Sequence, residues 1–242
     1  MQSADSGIRL TIQAGTAEIT IDRPAVGNTL DSRALAGLTT ALQTAERDGA
    51  VHSAVLRSGV EAVFCSGGSY ADPEQPGRAS PDYAPHLADC FEAWTARSFP
   101  VIAVVDGAAR AFGAALALTS DLIVATPRAS FGLPELSRGV VPSYAIALLR
   151  TRHSSQFVRE LVFSTEPVPW RDVTTDPDNV VRTHLERFAA IGPDAVRAAH
   201  RTLTAIDGAL DLDAVHRIAA DGVAEQLRRY DEGRADQSYL GL

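Results

Sequence analysis

The spacing of hydrophobic positions changes from segment to segment and predicts an alternation of strands and helices. Apolar and polar residues alternate over residues 8–13 and 17–21, on either side of a short Ala-Gly-Thr turn, which predicts a hairpin. Apolar residues then recur at helical spacing over residues 35–45, after Asp31 at the position of an N-cap. An apolar run at residues 51–56 predicts the next strand. The strand-helix-strand order predicts a parallel crossover unit.

The most pronounced pattern lies between Pro100 and Leu149. Residues 101–105 are a continuous apolar run, which is typical of a strand buried on both faces. The small residues 108–118 predict a helix that packs closely against its neighbours, and residues 122–125 predict a second strand. Glu135 follows in a predicted loop, as a lone carboxylate between apolar segments. This carboxylate is the first candidate for chemistry.

A glycine-rich segment, residues 58–69, lies upstream of that region. Gly67 and Gly68 would let the backbone turn sharply and present N–H groups to a ligand, although an ordinary turn is the alternative. Residues 70–85 contain four prolines and predict a surface segment over this loop. Residues 86–98 predict a helix, because their apolar side chains share one helical face.

Beyond Leu149 the pattern is helical. The predicted helices carry apolar stripes that need cover, either from the same subunit or from another one. We therefore divide the chain into an α/β part, residues 1–165, and a C-terminal helical region, residues 166–242. The predicted helices lie at residues 154–163, 179–190, 193–206 and 212–230.

Composition narrows the class of protein. The 242 residues are 45% hydrophobic, which is enough for one full core, and the formal charge of -8 argues against nucleic-acid binding. All 22 basic residues are arginine, which excludes Schiff-base and lysine-base chemistry. The two cysteines show neither a disulfide framework nor metal-ligand spacing. With no apolar run of about 18 residues and no leader pattern, the expectation is a cytoplasmic protein without a membrane span or a metal.

Four motifs in order make the chain resemble the crotonase superfamily, also called the enoyl-CoA hydratase/isomerase family. Residues 22–30 resemble its R-P-x-x-x-N-x-L signature. Residues 63–68 resemble its F-x-A-G-A-D loop, with Ser69 where the family usually has aspartate. Residues 100–121 resemble P-V-I-A-x-V-x-G-x-x-x-G-G-G-x-x-L-A-x-x-x-D. Residues 131–142 resemble F-G-x-P-E-x-x-x-G-x-x-P.

The resemblance implies a fold and a substrate class. The fold would be an α/β crotonase (ClpP/crotonase-like) fold of repeated ββα units, with residues 166–242 as a helical trimerisation region in a homotrimer or hexamer. The substrate would be an acyl thioester on CoA or on a phosphopantetheinyl acyl carrier protein, with no separate cofactor. An oxyanion hole would be formed by the backbone N–H groups of Gly68 and Phe112.

One departure from the family pattern narrows the chemistry. Family hydratases use two glutamates, and here the first position is Ala115 while the second is Glu135. A single carboxylate can still act as acid and base, either in syn elimination of water from a 3-hydroxyacyl thioester or in Δ3,Δ2-enoyl isomerisation. Its apolar neighbours Phe131 and Leu133 favour a raised carboxyl pKa. A non-catalytic binding subunit is the third hypothesis, motivated by Ala115 and by a short segment at residues 170–180.

Further residues are predicted to contact substrate: Ser66, Gly67, Tyr70, Arg110 and Tyr144. Arg110 faces either a carboxylate or phosphate of the substrate or the solvent, and Tyr144 belongs either to the acyl pocket or to the core. The combination resembles the dehydratases of polyketide β-branching cassettes, which act on 3-hydroxy-3-methylglutaryl units held on an acyl carrier protein. A substrate that carries its own carboxylate would give Arg110 a partner.

Overall fold

The structure is a computed structural model that describes residues 6–72 and 80–207. Two compact units are present, Met1–Arg197 and Ala198–Leu242, and the second is described only up to Asp207. The helix predicted at residues 212–230 lies outside the described residues. The predicted division of the chain after residue 165, and the trimerisation role of the second part, stay predictions.

Strands and helices alternate along most of the described chain. The strands are β1 (Ile8–Gln13), β2 (Thr16–Ile21), β3 (Ser53–Ser58), β4 (Val63–Cys65), β5 (Val101–Val105), β6 (Ala108–Arg110), β7 (Leu122–Ala125), β8 (Ser130–Gly132) and β9 (Val168–Pro169). The helices are α1 (Ser32–Arg47), α2 (Tyr83–Ala96), α3 (Ala111–Leu118), α4 (Ser143–Arg150), α5 (Ser155–Ser164), α6 (Pro177–Ile191) and α7 (Pro193–Asp207).

The strands form two sheets that the chain visits in turn. The first sheet has the order β1-β2-β3-β5-β7 and the second has the order β4-β6-β8-β9. Pairing is parallel except between β1 and β2 and between β8 and β9. Three successive units, β3-β4-α2, β5-β6-α3 and β7-β8-α4, each give one strand to each sheet and then a helix. This confirms the predicted α/β fold of repeated ββα units.

Helix α3 lies within the hydrophobic core. Every residue of this helix is buried, because its small side chains let neighbouring elements approach its backbone. Trp94 of α2 is also buried and donates its indole N–H to the Thr119 hydroxyl at 3.0 Å. Below it, Arg97 forms an ion pair with Asp121 at 3.0 Å. The site described below therefore lies beside the hydrophobic core.

Several predicted elements are confirmed. The hairpin is present as β1 and β2, and its register pairs Ile8 with Ile21. The Asp31 side chain caps α1 by accepting the Ala34 N–H at 2.9 Å. The crossover through α1 is also as predicted, because β2 and β3 pair in parallel.

Three predictions are wrong. Residues 108–110 are not the start of a helix but strand β6, because they pair with β4 on one side and β8 on the other. The helix begins at Ala111, where a positive φ of 55° turns the chain. The loop predicted to hold Glu135 and to continue to Leu149 is interrupted by helix α4, which begins at Ser143. The predicted surface segment ends early, because α2 begins at Tyr83 and buries that side chain.

No helix within residues 6–72 and 80–207 is long and apolar enough to cross a membrane.

Candidate active site

A cavity of about 300 Å³ lies between the starts of α2 and α3 and the segment from Glu135 to Ala145. Five residues predicted from the sequence line it: Gly68, Tyr70, Phe112, Glu135 and Tyr144. Most of the remaining lining is apolar. The fold therefore brings one carboxylate, two residues predicted to supply backbone donors and two predicted tyrosines to a single cavity.

The two predicted donor segments touch because glycines leave room for them. A Cβ at Gly67 would lie 2.4 Å from the Cβ of Ala111, and Gly67 has a φ of +96° that favours glycine. A Cβ at Gly113 would lie 2.5 Å from the Sγ of Cys65. The loop after β4 and the first turn of α3 consequently pack backbone against backbone. Gly68 of the loop and Phe112 of the helix both line the same cavity.

Local hydrogen bonding indicates which N–H groups are available. The Gly67 carbonyl accepts the Leu30 N–H at 2.8 Å, and the Ser69 N–H donates to the Leu30 carbonyl at 2.9 Å. Because successive N–H groups of an extended segment point to opposite sides, the Gly68 N–H points away from Leu30. Phe112 is the second residue of α3, which has no side-chain N-cap, and the first N–H groups of a helix have no intrahelical acceptor.

A buried asparagine holds this loop in place. Asn28 is fully buried with a φ of +58°, and its Nδ2 contacts the Ile21 carbonyl at 3.1 Å, the Ser58 hydroxyl at 2.7 Å and the Phe64 carbonyl at 3.1 Å. Its Oδ1 accepts the Arg23 N–H at 2.7 Å. These bonds tie the N-terminal signature to β2, β3 and β4, and so fix the strand that leads into Gly68.

Glu135 also lines the cavity, from a 3-10 helix at Pro134–Arg138. The side chain is half-buried, and its Oε2 is buried without a hydrogen-bond partner among the described residues. Burial raises the pKa of this carboxyl and outweighs the lowering effects of its backbone hydrogen bond and of the Arg138 charge. Phe131 and Leu133 are buried beside it, as the sequence predicts. The carboxylate is therefore poised to take up a proton.

The position of the missing first glutamate is closed. Ala115 is fully buried in α3, and its carbonyl accepts the Thr119 hydroxyl at 2.6 Å. Glu135 is the only acidic residue among the described residues that line the cavity. The site accordingly offers one carboxylate rather than two.

Both predicted tyrosines reach the cavity but differ in exposure. Tyr144 lines it and packs the edge of its ring against Phe91, with centroids 5.7 Å apart. Tyr144 therefore lies at the cavity, as one sequence alternative predicts, and also packs against the core, as the other predicts. Tyr70 is 56% exposed and stacks at a tilt on Tyr83, with centroids 4.5 Å apart.

Three predicted contact residues do not line the cavity. The Arg110 guanidinium donates to the Ala109 carbonyl at 2.9 Å, to the Ser130 carbonyl at 2.7 Å and to the Ser130 hydroxyl at 3.0 Å. It is therefore held along strand β8. Ser66 and Gly67 support the neighbouring loop. Their substrate contacts stay predictions.

Tyr83 lines the cavity, although sequence reasoning did not select it. Only 4% of this residue is exposed, and it stands at the start of α2. A signal for it exists in the sequence, because the buried stripe of α2 at Leu87, Cys90 and Trp94 extends back by one helical turn to position 83. The prolines of the preceding segment concealed this periodicity.

Comparison with known proteins identifies the family of this chain. The model of the family described as enoyl-CoA hydratase/isomerase matches residues 11–176. A probable mitochondrial enoyl-CoA hydratase 2 of Arabidopsis thaliana is 31% identical over 156 residues, which cover 62% of this chain and 51% of that protein. The mitochondrial enoyl-CoA hydratase domain-containing protein 2 of Bos taurus is 29% identical over 223 residues, which cover 86% and 75%.

Structural comparison gives the same result. The crystal structure of an enoyl-CoA hydratase/isomerase from Marinobacter aquaeolei superposes with a TM-score of 0.78 at 26% identity, covering 93% of this chain and 92% of that one. The chain spans about half the length of the plant relative. Since the family match extends over more than half of the 242 residues, the chain belongs to the enoyl-CoA hydratase/isomerase family.

Proposed function

We propose that this protein acts on acyl thioesters, carried on CoA or on the phosphopantetheine arm of an acyl carrier protein, with Glu135 as its single acid/base group. One observation carries the proposal. The buried, unpartnered Oε2 of Glu135 shares a small cavity with the backbone of Gly68 and Phe112. The names of the plant and bovine relatives support a hydratase-like reaction on a thioester.

The favoured reaction is syn elimination of water from a 3-hydroxyacyl thioester. The Glu135 carboxylate takes the proton from C2, and the electron pair of that C–H bond becomes the new C2–C3 double bond as negative charge passes through the thioester oxygen. The C3–O bond then breaks with its electron pair on the oxygen. The Glu135 carboxylic acid returns its proton to that oxygen, so that water leaves and the carboxylate is regenerated.

The predicted oxyanion hole lowers the barrier of the first step. The N–H groups of Gly68 and Phe112 would donate to the thioester oxygen as its charge develops, because donors that are already oriented need no reorganisation. The loss of one such donor costs about 3 kcal/mol of transition-state stabilisation in other enzymes. The absence of a side-chain cap on α3 supports this role for Phe112, since an anion is favoured at an uncapped helix start.

The acyl group that fits best carries no charge of its own. Of the described residues that line the cavity none is basic, and Arg110 is bonded to Ser130. A 3-hydroxy-3-methylglutaryl unit would place its own carboxylate in the cavity in addition to that of Glu135. None of the described lining residues is a cation that could pair with it. Its proposal as substrate, and a place in polyketide synthesis, therefore rest on the sequence resemblance to the β-branching dehydratases.

Isomerisation of a 3-enoyl thioester is the second candidate. The same observation favours it, because one carboxylate can remove a proton from C2 and return it to C4 without any hydroxyl leaving group. The closed position at Ala115 disfavours hydration through two carboxylates and does not separate these two reactions. Mass separates them, since elimination loses water and isomerisation changes no mass.

The test is mass spectrometry of 3-hydroxyacyl and 3-enoyl thioesters, on CoA and on acyl carrier protein, incubated with the purified protein. We expect loss of water from the 3-hydroxyacyl substrate and a fall in rate of about 10²–10⁴ in Glu135→Gln. Glu186→Gln is the matched control, because it makes the same chemical change at an exposed position on α6.

The outcomes distinguish the three hypotheses. A mass-neutral shift of the double bond that depends on Glu135 would favour the isomerase. Turnover that survives in Glu135→Gln would contradict the single acid/base. Binding of thioester without any turnover would identify a binding subunit. The trimeric or hexameric state and the cytoplasmic location stay predictions with this proposal.

A further inference from the structure

The hydroxyl of Tyr83 occupies an unusual place beside one of the predicted oxyanion donors. A Cβ built at Gly68 would lie 1.8 Å from the Tyr83 hydroxyl oxygen and 3.0 Å from its Cζ. The oxygen thus fills the position that any side chain at residue 68 would need. Gly68 and Tyr83 both line the cavity that holds Glu135.

One departure from the family pattern lies at this contact. The F-x-A-G-A-D loop that residues 64–69 resemble has alanine where this chain has Gly68. The methyl group of that alanine and the hydroxyl of Tyr83 cannot occupy the same space. The wall of the cavity therefore carries a hydroxyl where the F-x-A-G-A-D pattern would place a methyl group. The same chain lacks the first glutamate, because residue 115 is alanine.

The Tyr83 hydroxyl forms no hydrogen bond with another residue within 6–72 and 80–207. Its ring is held on one side by Tyr70, and only 4% of the residue is exposed. A buried tyrosine hydroxyl normally finds a partner. Burial raises the pKa of this phenol, so that it keeps its proton and can act only as a donor toward a developing anion.

We infer that the Tyr83 hydroxyl is a third hydrogen-bond donor to the thioester oxygen, beside the N–H groups of Gly68 and Phe112. This inference rests on the proposed function, because it needs a thioester in the cavity. It explains why position 68 has no side chain. It also adds a donor to the oxygen on which charge collects, in a site that has only one carboxylate.

The test reads the polarisation of the thioester carbonyl directly. Donors to that oxygen shift the absorbance of a conjugated thioester to longer wavelength, so 2,4-hexadienoyl-CoA serves as the probe. The spectrum is measured with Glu135→Gln, which slows turnover, and with the double variant Glu135→Gln/Tyr83→Phe. We expect the double variant to bind the probe with less than half of the wavelength shift.

Kinetics in the wild-type background complete the test. With Tyr83→Phe we expect kcat on the proposed substrate to fall about tenfold, with KM changed less than threefold, because the bond strengthens as charge develops. The melting temperature should stay at the wild-type value, because the ring is retained. An unchanged spectral shift in the double variant would overturn the inference and leave Glu135 in its role. If the single Glu135→Gln variant binds no probe, the proposed function fails and the inference fails with it.

A second comparison tests the placement of the oxygen without any substrate. Gly68→Ala should lower the melting temperature of the wild type, because its methyl group meets the hydroxyl at 1.8 Å. The same change in Tyr83→Phe should lower it by less than half as much, since the nearest remaining atom is at 3.0 Å. Equal losses in both backgrounds would show that the hydroxyl lies elsewhere and would overturn the inference.

Discussion

The two walls of the cavity are built in opposite ways. The donor wall consists of backbone packed so closely that Gly67 and Gly113 have no room for a Cβ. The acid wall is a short 3-10 helix that carries Glu135 and ends at Gly139, around which a Cβ would meet nothing within 4 Å. Substitutions in the donor wall should therefore disturb folding and catalysis together. Substitutions in the acid wall should change catalysis and leave folding nearly intact.

The largest effect is expected where an acid is placed in the donor wall. Ala115→Glu restores the glutamate that the family's hydratases carry, but at a fully buried position without a partner for its charge. We expect the free energy of unfolding to fall by about 3–5 kcal/mol, measured by urea denaturation. Val141→Glu places the same side chain on the exposed side of the cavity, where the cost should stay below about 0.5 kcal/mol. A stable Ala115→Glu variant would show that the donor wall has room for a second acid.

The next effect tests the contact between the loop and α3. Gly67→Ala introduces a Cβ at 2.4 Å from the Ala111 Cβ and strains a φ of +96°. The expected loss is about 3 kcal/mol of unfolding free energy, accompanied by loss of activity. Gly49→Ala is the control, since nothing lies within 4 Å of its Cβ and its φ is not positive. If both variants unfold at the same urea concentration, the close packing of this wall is refuted.

A smaller loss is expected at the asparagine that positions the loop. Asn28→Ala leaves the buried carbonyls of Ile21 and Phe64 without this donor, which should cost about 2 kcal/mol in urea unfolding. Activity should fall as well, because the strand before Gly68 loses its anchor. Asn179→Ala makes the same change at an exposed site on α6 and should be nearly neutral. An Asn28→Ala variant with unchanged stability would count against this role.

The smallest expected effect is a change of stability with pH at Glu135 in the acid wall, and the direction of its pKa shift fixes the sign. Because the pKa of Glu135 is raised in the folded state, the folded protein binds more protons than the unfolded chain between the two pKa values. Wild-type stability is therefore lost as the pH rises from the unfolded value through the folded one. Glu135→Gln lacks this loss, so its stability relative to wild type should be greater at pH 8 than at pH 4. The opposite trend would mean that the folded state stabilises the carboxylate.

The sequence motifs select two residues of the donor wall that line the cavity, but the sequence does not predict all of the elements around them. Gly68 and Phe112 follow from motif positions, and the buried strand β5 follows from its unbroken apolar run. Strand β6 could not be predicted, because three residues are too few to show a period and its pairing with β4 and β8 decides its form. The position of Arg110 likewise depends on Ser130, a neighbour that only the folded sheet supplies.

The repeated ββα architecture follows from the family resemblance and not from any internal repeat in the sequence. The units β3-β4-α2 and β5-β6-α3 have the same order of elements but share no side-chain pattern. In α2 the buried stripe is made of large residues such as Trp94, whereas all of α3 is buried and made mostly of small residues. Each unit packs against different neighbours, so similar backbone geometry does not require similar residues.

The bridge between Leu30 and Gly68 also bears on how the molecule acquires activity. The donor wall joins segments that are far apart in sequence, and long-range contacts of this kind form late in folding because long loops must close first. The hairpin of β1 and β2, and helix α1, need only local contacts. During refolding, the circular dichroism signal should therefore recover before catalytic activity does. Activity would then report only those molecules in which the contact between Leu30 and Gly68 has formed.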